Sequence, residues 1–129
     1  MKLSESKEDY LEAVYILEQQ YGYVRNSMLC DYMGFSRSSI SIAMRELAEQ
    51  GYVIHNKYNG ITLTKSGKRI GKKVYAKHVL LREYLVAIGI SPEQAEKDAC
   101  RMEHVVSEET IQCLKERMEE MRQAKEDFA

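Results

Sequence analysis

The sequence predicts a mainly α-helical protein that contains one small β-hairpin. Apolar residues recur at helical spacing over most of the chain, and Ser and Gly residues suited to helix starts and ends separate the segments. The 129 residues include only one Pro and suit one ordinary domain or two small ones. No segment approaches the roughly 18 consecutive apolar residues of a membrane span, and the N-terminus lacks the apolar core of a signal peptide. We therefore expect a cytoplasmic protein.

Three helices are predicted in the first 50 residues, over about 7–20, 26–33 and 36–50. Ser6 followed by Asp9 is a start signal for the first helix. Gly34 ends the second helix, and Ser36 can cap the third. Two helices joined by a short turn that contains glycine are typical of a helix-turn-helix motif.

A hairpin and three more helices follow this motif. Two short strands over 52–56 and 60–64 are joined by a turn that contains Asn59 and Gly60. The helices are expected from Thr64 to about Ile88, from Ser91 through the stretch ACRMEHVV, and from Ser107 to the C-terminus. A helix-turn-helix followed by a hairpin is the winged-helix arrangement. We expect a winged-helix domain over residues 1–74 and a helical domain over residues 75–129.

The charge is distributed unevenly and predicts a polyanion partner for the first domain. Residues 1–77 hold 12 Lys and Arg against 8 Asp and Glu, whereas residues 78–129 hold 7 against 12. In a winged helix the second helix of the motif enters the DNA major groove and the wing lies along the backbone. The residues expected to contact DNA are Arg25, Ser36, Arg37, Ser38, Ser39, Ser41 and Lys57. The alternatives are that these serines only cap the helix, and that the basic residues of the long helix form a solvated face.

The stretch ACRMEHVV, residues 99–106, carries a thiol, a carboxylate and an imidazole close together. On a continuous helix, residues three and four apart are neighbours, so Cys100, Glu103 and His104 would share one patch. All three residue types bind divalent first-row metals. This stretch therefore predicts part of a metal site, and the alternative is a buried hydrogen-bonded trio.

These features resemble the diphtheria toxin repressor family of metal-dependent bacterial repressors, especially its short branch similar to the manganese transport regulator. The resemblance covers nearly the whole chain, through SKEDYLEAVYIL, RSSIS, YNGITLTKSGKRIGKK, KHVLLREYL and ACRMEHVVSEE. It implies an N-terminal winged helix-turn-helix and a C-terminal helical dimerisation and metal-binding domain, without enzymatic activity. By resemblance, the metal ligands are Asp9, Glu12, His78, Cys100, Glu103 and His104.

The resemblance also implies a function, which is repression of metal-homeostasis genes by a homodimer that binds a palindromic operator when Fe²⁺ or Mn²⁺ is bound. Iron-sensing members have a cysteine at the position of Cys100, and manganese-sensing members have an aspartate at the position of Asp9. This chain combines the two. The thiolate favours Fe²⁺ slightly over Mn²⁺, and Co²⁺, Ni²⁺ or Zn²⁺ can substitute in vitro.

The chain departs from the iron-sensing pattern at two further positions. The iron-sensing pattern has a carboxylate where this chain has Arg82 and a histidine where it has Glu96, which argues against a second, ancillary metal site. The number of ions per subunit stays open. The additional SH3-like domain of longer members is not expected.

Two other classes of protein are considered. One is a winged-helix regulator that does not sense metal, in which Cys100 and the carboxylates are structural. The other is a metallohydrolase, because Glu beside His in a metal site resembles zinc enzymes. The sequence shows neither a substrate cleft nor a spare general base for the second class.

Overall fold

The structure is a computed structural model that describes residues 3–56, 58 and 60–127. Its elements are α1 (Glu5–Tyr21), β1 (Val24–Arg25), α2 (Asn26–Met33), α3 (Arg37–Glu49), β2 (Val53–His55), β3 (Gly60–Leu63), α4 (Lys65–Ala87), α5 (Pro92–Met102) and α6 (Glu108–Asp127). The chain divides into two compact units, Met1–Tyr75 and Ala76–Ala129, which are called unit 1 and unit 2. The predicted fold class, mainly helical with a helix-turn-helix and a small sheet, is confirmed.

Helix α1 begins two residues earlier than the sequence signals predicted. Its N-cap is Ser4, whose Oγ accepts a hydrogen bond from the backbone N–H of Lys7 at 3.2 Å. Ser6 therefore lies inside the first turn, and the predicted start at Ser6 is wrong. Because Ser6 is not the N-cap, Asp9 is not needed as its capping partner.

The other predicted helix caps are present. The Oγ atoms of Ser36, Ser91 and Ser107 each accept a hydrogen bond from the backbone N–H three residues on, at 3.1–3.3 Å. Gly34 ends α2 with a left-handed φ of 72°, a conformation that costs glycine little. These caps fix where α3, the second helix of the helix-turn-helix, begins.

Among the described residues, the sheet contains three antiparallel strands in the order β1-β3-β2, one strand more than predicted. In the hairpin, Val53 pairs with Leu63, and on the other side of β3, Val24 pairs with Ile61. Because β1 has only two residues, no alternation of apolar and polar residues could predict it. Asn59 of the predicted turn lies outside the described residues.

The core of unit 1 is apolar and joins α1, α2, α3 and the sheet. Its fully buried side chains include Leu11, Leu29, Ile40, Met44 and Leu47. The first part of α4 packs closely on α1, since a Cβ on Gly71 would lie 2.6 Å from the carbonyl oxygen of Leu11. Tyr15 of α1 and Tyr75 of α4 also have ring centroids 6.0 Å apart. These contacts position the helix-turn-helix relative to the start of α4.

The buried residues of unit 2 include polar as well as apolar side chains. Leu81, Ala95 and Ala99 are buried together with three titratable residues, namely His78, Glu103 and His104. Helix α6, over the part of it that is described, has no buried residue. Within the described part of the chain, no helix is long and apolar enough to cross a membrane.

Candidate DNA interface and metal centre

The N-terminal end of α3 presents a cluster of exposed hydroxyl groups and one guanidinium group. Ser36 Oγ lies 3.0 Å from Ser39 Oγ and 3.3 Å from Ser38 Oγ, in addition to its capping bond. Arg37 is exposed beside them. Ser36 therefore does cap the helix, but it does not only cap it, because the hydroxyl cluster and Arg37 remain accessible to a ligand.

A polar groove of about 280 Å³ connects this end of α3 with the start of α2 and the hairpin. Its lining residues are Arg25, Asn26, Ser27, Arg37, Ser41 and Tyr58. Ser41 is half-buried and accepts a hydrogen bond from Asn26 Nδ2 at 3.4 Å. The Arg25 guanidinium lies 5.8 Å from the ring centroid of Tyr23. Two guanidinium groups in one open groove suit a phosphate group.

Sequence reasoning missed two exposed residues of this face. Ile42 is 50% exposed on α3, and Tyr58 of the hairpin is 87% exposed with a φ of 63°. An apolar residue on the polar side of an amphipathic helix could have identified Ile42, whereas no pattern identifies Tyr58. The predicted contact residue Lys57 lies outside the described residues.

The basic residues of α4 are exposed on the first half of the helix. The exposed residues are Lys65, Lys68, Arg69, Lys72 and Lys73. Lys77 differs, since its Nζ lies 3.0 Å from Glu108 Oε1 at the start of α6. Lys77 therefore takes part in packing within unit 2.

His78 of α4 is the centre of a group of polar side chains in unit 2. Its side chain is 7% exposed, with Nδ1 2.9 Å from Glu103 Oε2 and Nε2 2.9 Å from Glu96 Oε1. Glu96 Oε2 accepts a hydrogen bond from Arg82 Nη1 at 3.3 Å. Each nitrogen of the ring thus faces a different carboxylate.

Glu103 and His104 lie beyond the end of α5, which corrects one step of the sequence reasoning. The helix ends at Met102, Glu103 is its C-cap, and His104 lies in the turn that follows. The Glu103 side chain is only 1% exposed, and its Oε1 lies 3.4 Å from His104 Nε2. Among the described residues, this oxygen has no hydrogen-bond partner.

Cys100 lies near the end of α5, three and four residues before Glu103 and His104. It is exposed on α5, and its Sγ lies with donor atoms of His78 and Glu96 in a group whose members are all within 4.8 Å of one another. Glu96 belongs to this group although the sequence analysis identified it only as a departure from the family pattern. A link between α4 and α5 cannot be inferred from sequence spacing.

Asp9 and Glu12, the remaining predicted ligands, both lie on α1 in unit 1. Since they are three residues apart, they occupy neighbouring positions on one helix face. The other four predicted ligands belong to unit 2.

The donor atoms in unit 2 fit a divalent first-row metal ion. They comprise imidazole nitrogens, carboxylate oxygens and one thiol, all of which are ligand types for such ions. A buried carboxylate is costly unless it is paired and its lone pairs are satisfied. Glu103 Oε1, without a hydrogen bond, is therefore an oxygen that a cation would satisfy.

A winged-helix unit joined to a helical unit with these donors defines a class of protein, the DNA-binding regulators that carry a metal-binding domain. Two family models match the chain, the N-terminal DNA-binding domain of the iron-dependent repressors over residues 2–61 and their metal-binding and dimerisation domain over residues 64–126. The chain belongs to the iron-dependent repressor family. The resemblance described in the sequence analysis is thereby confirmed.

Known relatives agree with this assignment. The chain is 36% identical over 106 residues to the HTH-type transcriptional regulator MntR of Bacillus subtilis. The matched region covers 82% of this chain and 75% of the relative. It is also 35% identical over 102 residues to MntR of Geobacillus kaustophilus, and this match covers 79% of this chain and 72% of that relative. The family and these relatives are transcriptional regulators and not enzymes, which excludes the metallohydrolase alternative.

Solved structures share the fold. A manganese-dependent transcriptional repressor in complex with manganese has a TM-score of 0.78 and 31% identity, and the match covers 86% of this chain and 51% of that one. The metal-dependent transcriptional regulator MtsR has a TM-score of 0.80 and 26% identity, with 91% and 55% covered. The chain spans about half the length of these solved proteins.

Proposed function

We propose that this protein is a metal-responsive transcriptional repressor that binds a palindromic operator as a homodimer when Mn²⁺ or Fe²⁺ is bound, and so controls genes of metal homeostasis. Because its ligand is chromosomal DNA, we place its action in the cytoplasm. The observation that carries the proposal is the buried Glu103 carboxylate between two imidazoles, in a chain whose other unit is a winged helix.

The proposed ligands come from both units. Asp9 and Glu12 would contribute from α1, and His78, Cys100, Glu103 and His104 from unit 2, as the family resemblance implies. A bound dication supplies positive charge that offsets the mutual repulsion of these carboxylates. Without a bound ion this repulsion would be uncompensated, so the form of the protein that binds DNA would be less populated.

The DNA-contacting residues proposed are those that line or flank the groove at the start of α3. Arg37 is suited to read a guanine edge, since a guanidinium can bond to O6 and N7 together. Arg25 and the hydroxyls of Ser36, Ser38 and Ser39 are suited to phosphates. We retain Ser41 and Lys57 as proposed contacts, although the hydrogen bond from Asn26 gives Ser41 a structural role as well.

A homodimer would place two copies of α3 about 34 Å apart, or a multiple of this distance, to read the two halves of a palindrome. Helix α6 supports this part of the proposal. Three of its apolar residues are only half-buried and recur at helical spacing, namely Ile111, Leu114 and Met118. Such a stripe is suited to pack against a second copy.

The metal is proposed to be Mn²⁺ or Fe²⁺. The carboxylates and imidazoles suit either ion, and the thiol of Cys100 favours the softer Fe²⁺. One similar solved protein contains manganese and is described as manganese-dependent. Metal content after expression in medium supplemented with each ion distinguishes the two.

The experiment that tests the proposal begins with selection of duplexes from a random DNA library by the protein in the presence of Mn²⁺. Fluorescence anisotropy then measures the affinity for the selected duplex in chelator and in Mn²⁺, Fe²⁺, Co²⁺ or Zn²⁺. We expect tightening by about 5–150-fold with the physiological metal, which corresponds to a coupling of about 1–3 kcal/mol. Equal affinities in chelator and in every metal would favour the metal-independent alternative.

A further inference from the structure

A groove of about 380 Å³ in unit 1 lies between the end of α1 and helix α2. This volume lies within the range of pockets that hold small molecules, about 300–1,000 Å³. Three of its lining residues are tyrosines, and the full lining consists of Leu17, Tyr21, Tyr23, Met28, Asp31 and Tyr32. Neither the winged-helix motif nor the metal ligands account for this concentration of rings.

Helical spacing explains why most of these side chains meet. Helix α1 contributes Leu17 and Tyr21, which are four residues apart. Helix α2 contributes Met28, Asp31 and Tyr32, which occupy relative positions 0, 3 and 4. Residues at these spacings share one face of a helix, so each helix presents a continuous strip of side chains to the groove.

The groove has an apolar floor and an aromatic rim. Leu17 is 4% exposed and Met28 is half-buried, whereas the three tyrosines are 52–59% exposed. A contiguous patch of large apolar side chains that remains open to solvent marks a place for a ligand or partner. A molecule in this groove would therefore contact hydrocarbon below and aromatic rings around it.

The electrostatics of the groove favour a cation. The face of an aromatic ring is electrostatically negative, and the Asp31 carboxylate adds a full negative charge. Among the described residues that line the groove, none is basic. Tyr23 shows the same preference within the chain, since the Arg25 guanidinium lies 5.8 Å from its ring centroid. One carboxylate among rings and alkyl groups is a poor site for a bare metal ion, which requires several oxygen ligands.

We propose that this groove, called the tyrosine groove after Tyr21, Tyr23 and Tyr32, binds a small organic cation of the quaternary-ammonium class, represented by choline. The methyl groups of such a cation pack on the apolar floor, and its charge faces the rings and the Asp31 carboxylate. Several aromatic rings around a methylated ammonium are an established means of binding it. The site gives unit 1 a ligand other than DNA.

The tyrosine groove is separate from the sites proposed for metal and DNA. None of its described lining residues is a proposed metal ligand or lines the groove at the start of α3. Its test therefore uses no DNA. Failure of this proposal would leave the repressor function untouched, and a repressor that did not respond to metal would leave the tyrosine groove untouched.

The test is titration of the full chain with choline in buffer that contains Mn²⁺, monitored by intrinsic fluorescence. The chain contains nine Tyr and no Trp, so the signal comes from tyrosine. The matched ligand is the uncharged analogue of choline that has carbon in place of nitrogen. We expect choline to bind at least about 5-fold more tightly than this alcohol, a difference of about 1 kcal/mol that reflects the cation–π attraction.

Replacement of Tyr32 tests the role of the rings. Tyr32→Leu keeps an apolar side chain and removes the ring, so it should weaken choline binding by about 2–5-fold and change binding of the alcohol little. Tyr32→Phe keeps the ring and should restore choline binding. The matched control is Tyr84→Leu, which removes a half-buried tyrosine of α4 in unit 2 and should leave choline binding unchanged.

Far-ultraviolet circular dichroism confirms that each variant is folded. The proposal is overturned if choline binding does not saturate, or if choline and the alcohol bind equally well. It is also overturned if Tyr32→Leu binds choline as tightly as Tyr84→Leu, or if Tyr32→Phe binds it as weakly as Tyr32→Leu.

Discussion

At the scale of single residues, Glu103 combines nearly complete burial with an oxygen that makes no hydrogen bond within the described residues. Its other oxygen bonds to His78 Nδ1 at 2.9 Å. Such a carboxylate is stabilised by additional positive charge, which is the physical basis of the proposed metal dependence.

Glu103→Gln keeps the size of this side chain and removes its charge. We expect the affinity for Mn²⁺ to fall by at least about 10-fold, because a ligand oxygen loses its charge. The thermal midpoint of unfolding should rise when Mn²⁺ is added to the wild type and should rise much less for the variant, because an ion stabilises only the form that binds it. Calorimetric titration and thermal melting measure both, with Glu93→Gln as control, and an unchanged Mn²⁺ affinity would exclude Glu103 as a ligand.

Arg37 and Arg25 should give different results when each is replaced by Ala. Loss of a base-reading arginine costs about 1–3 kcal/mol and relaxes sequence preference, whereas loss of a phosphate contact weakens all sequences alike and lowers the salt dependence by about one ion. We expect the first result for Arg37 and the second for Arg25. The measurement is anisotropy on the selected duplex and a scrambled duplex at several salt concentrations.

The exposed Arg117 of α6 supplies the control for both arginine variants. Arg117→Ala removes the same charge from unit 2 and should leave DNA affinity unchanged. If all three variants lose affinity equally, total charge rather than the α3 groove would account for DNA binding.

Side-chain chemistry explains which site residues the sequence could predict. A thiol, a carboxylate and an imidazole near one another in ACRMEHVV are recognisable without a structure, whereas Glu96 joins them only through the packing of α5 on α4. Burial could not be predicted either. Burial, followed by the charges of Asp9 and Glu46, raises the pKa of Tyr10 above its ordinary value.

At the scale of secondary-structure elements, most helices were predictable because capping is local. Ser36, Ser91 and Ser107 act as predicted, but Ser4 and Ser6 offer equivalent signals and the chain uses the earlier one. The end of α5 was not predictable, since Glu103 and His104 are acceptable in a helix. In the turn that follows the helix, Glu103 contacts both His78 and His104.

The packing of α4 on α1 depends on Gly71. Gly71→Ala would place a methyl group 2.6 Å from the Leu11 carbonyl oxygen and 3.0 Å from Tyr15 Cβ, so one helix must move. We expect unit 1 to lose about 1–3 kcal/mol of stability, the usual cost of overpacking. Urea unfolding measures the loss of stability. The control is Lys72→Ala at the exposed neighbouring position, which should change the unfolding midpoint little. Equal midpoints for the two variants would mean that Gly71 does not pack tightly on Leu11 in solution.

At the scale of the whole molecule, the two units differ in charge and in the functional residues that they contain. The basic first part of the chain contains the winged helix, and the acidic remainder contains four of the six proposed metal ligands, namely His78, Cys100, Glu103 and His104. This division was visible in the sequence. The assignment of Asp9 and Glu12 to the same metal as residues of unit 2 required the family resemblance, because no local pattern relates positions so far apart in the chain.

The central claim is that metal binding and DNA binding are energetically coupled, and coupling between two ligands must be reciprocal. The most direct measurement is therefore the affinity for Mn²⁺ of the protein alone and of its complex with the selected duplex, by calorimetry under the same conditions. We predict tighter Mn²⁺ binding in the complex, by the same factor of about 5–150 by which Mn²⁺ tightens DNA binding. Identical Mn²⁺ affinities with and without DNA would contradict a metal-responsive repressor.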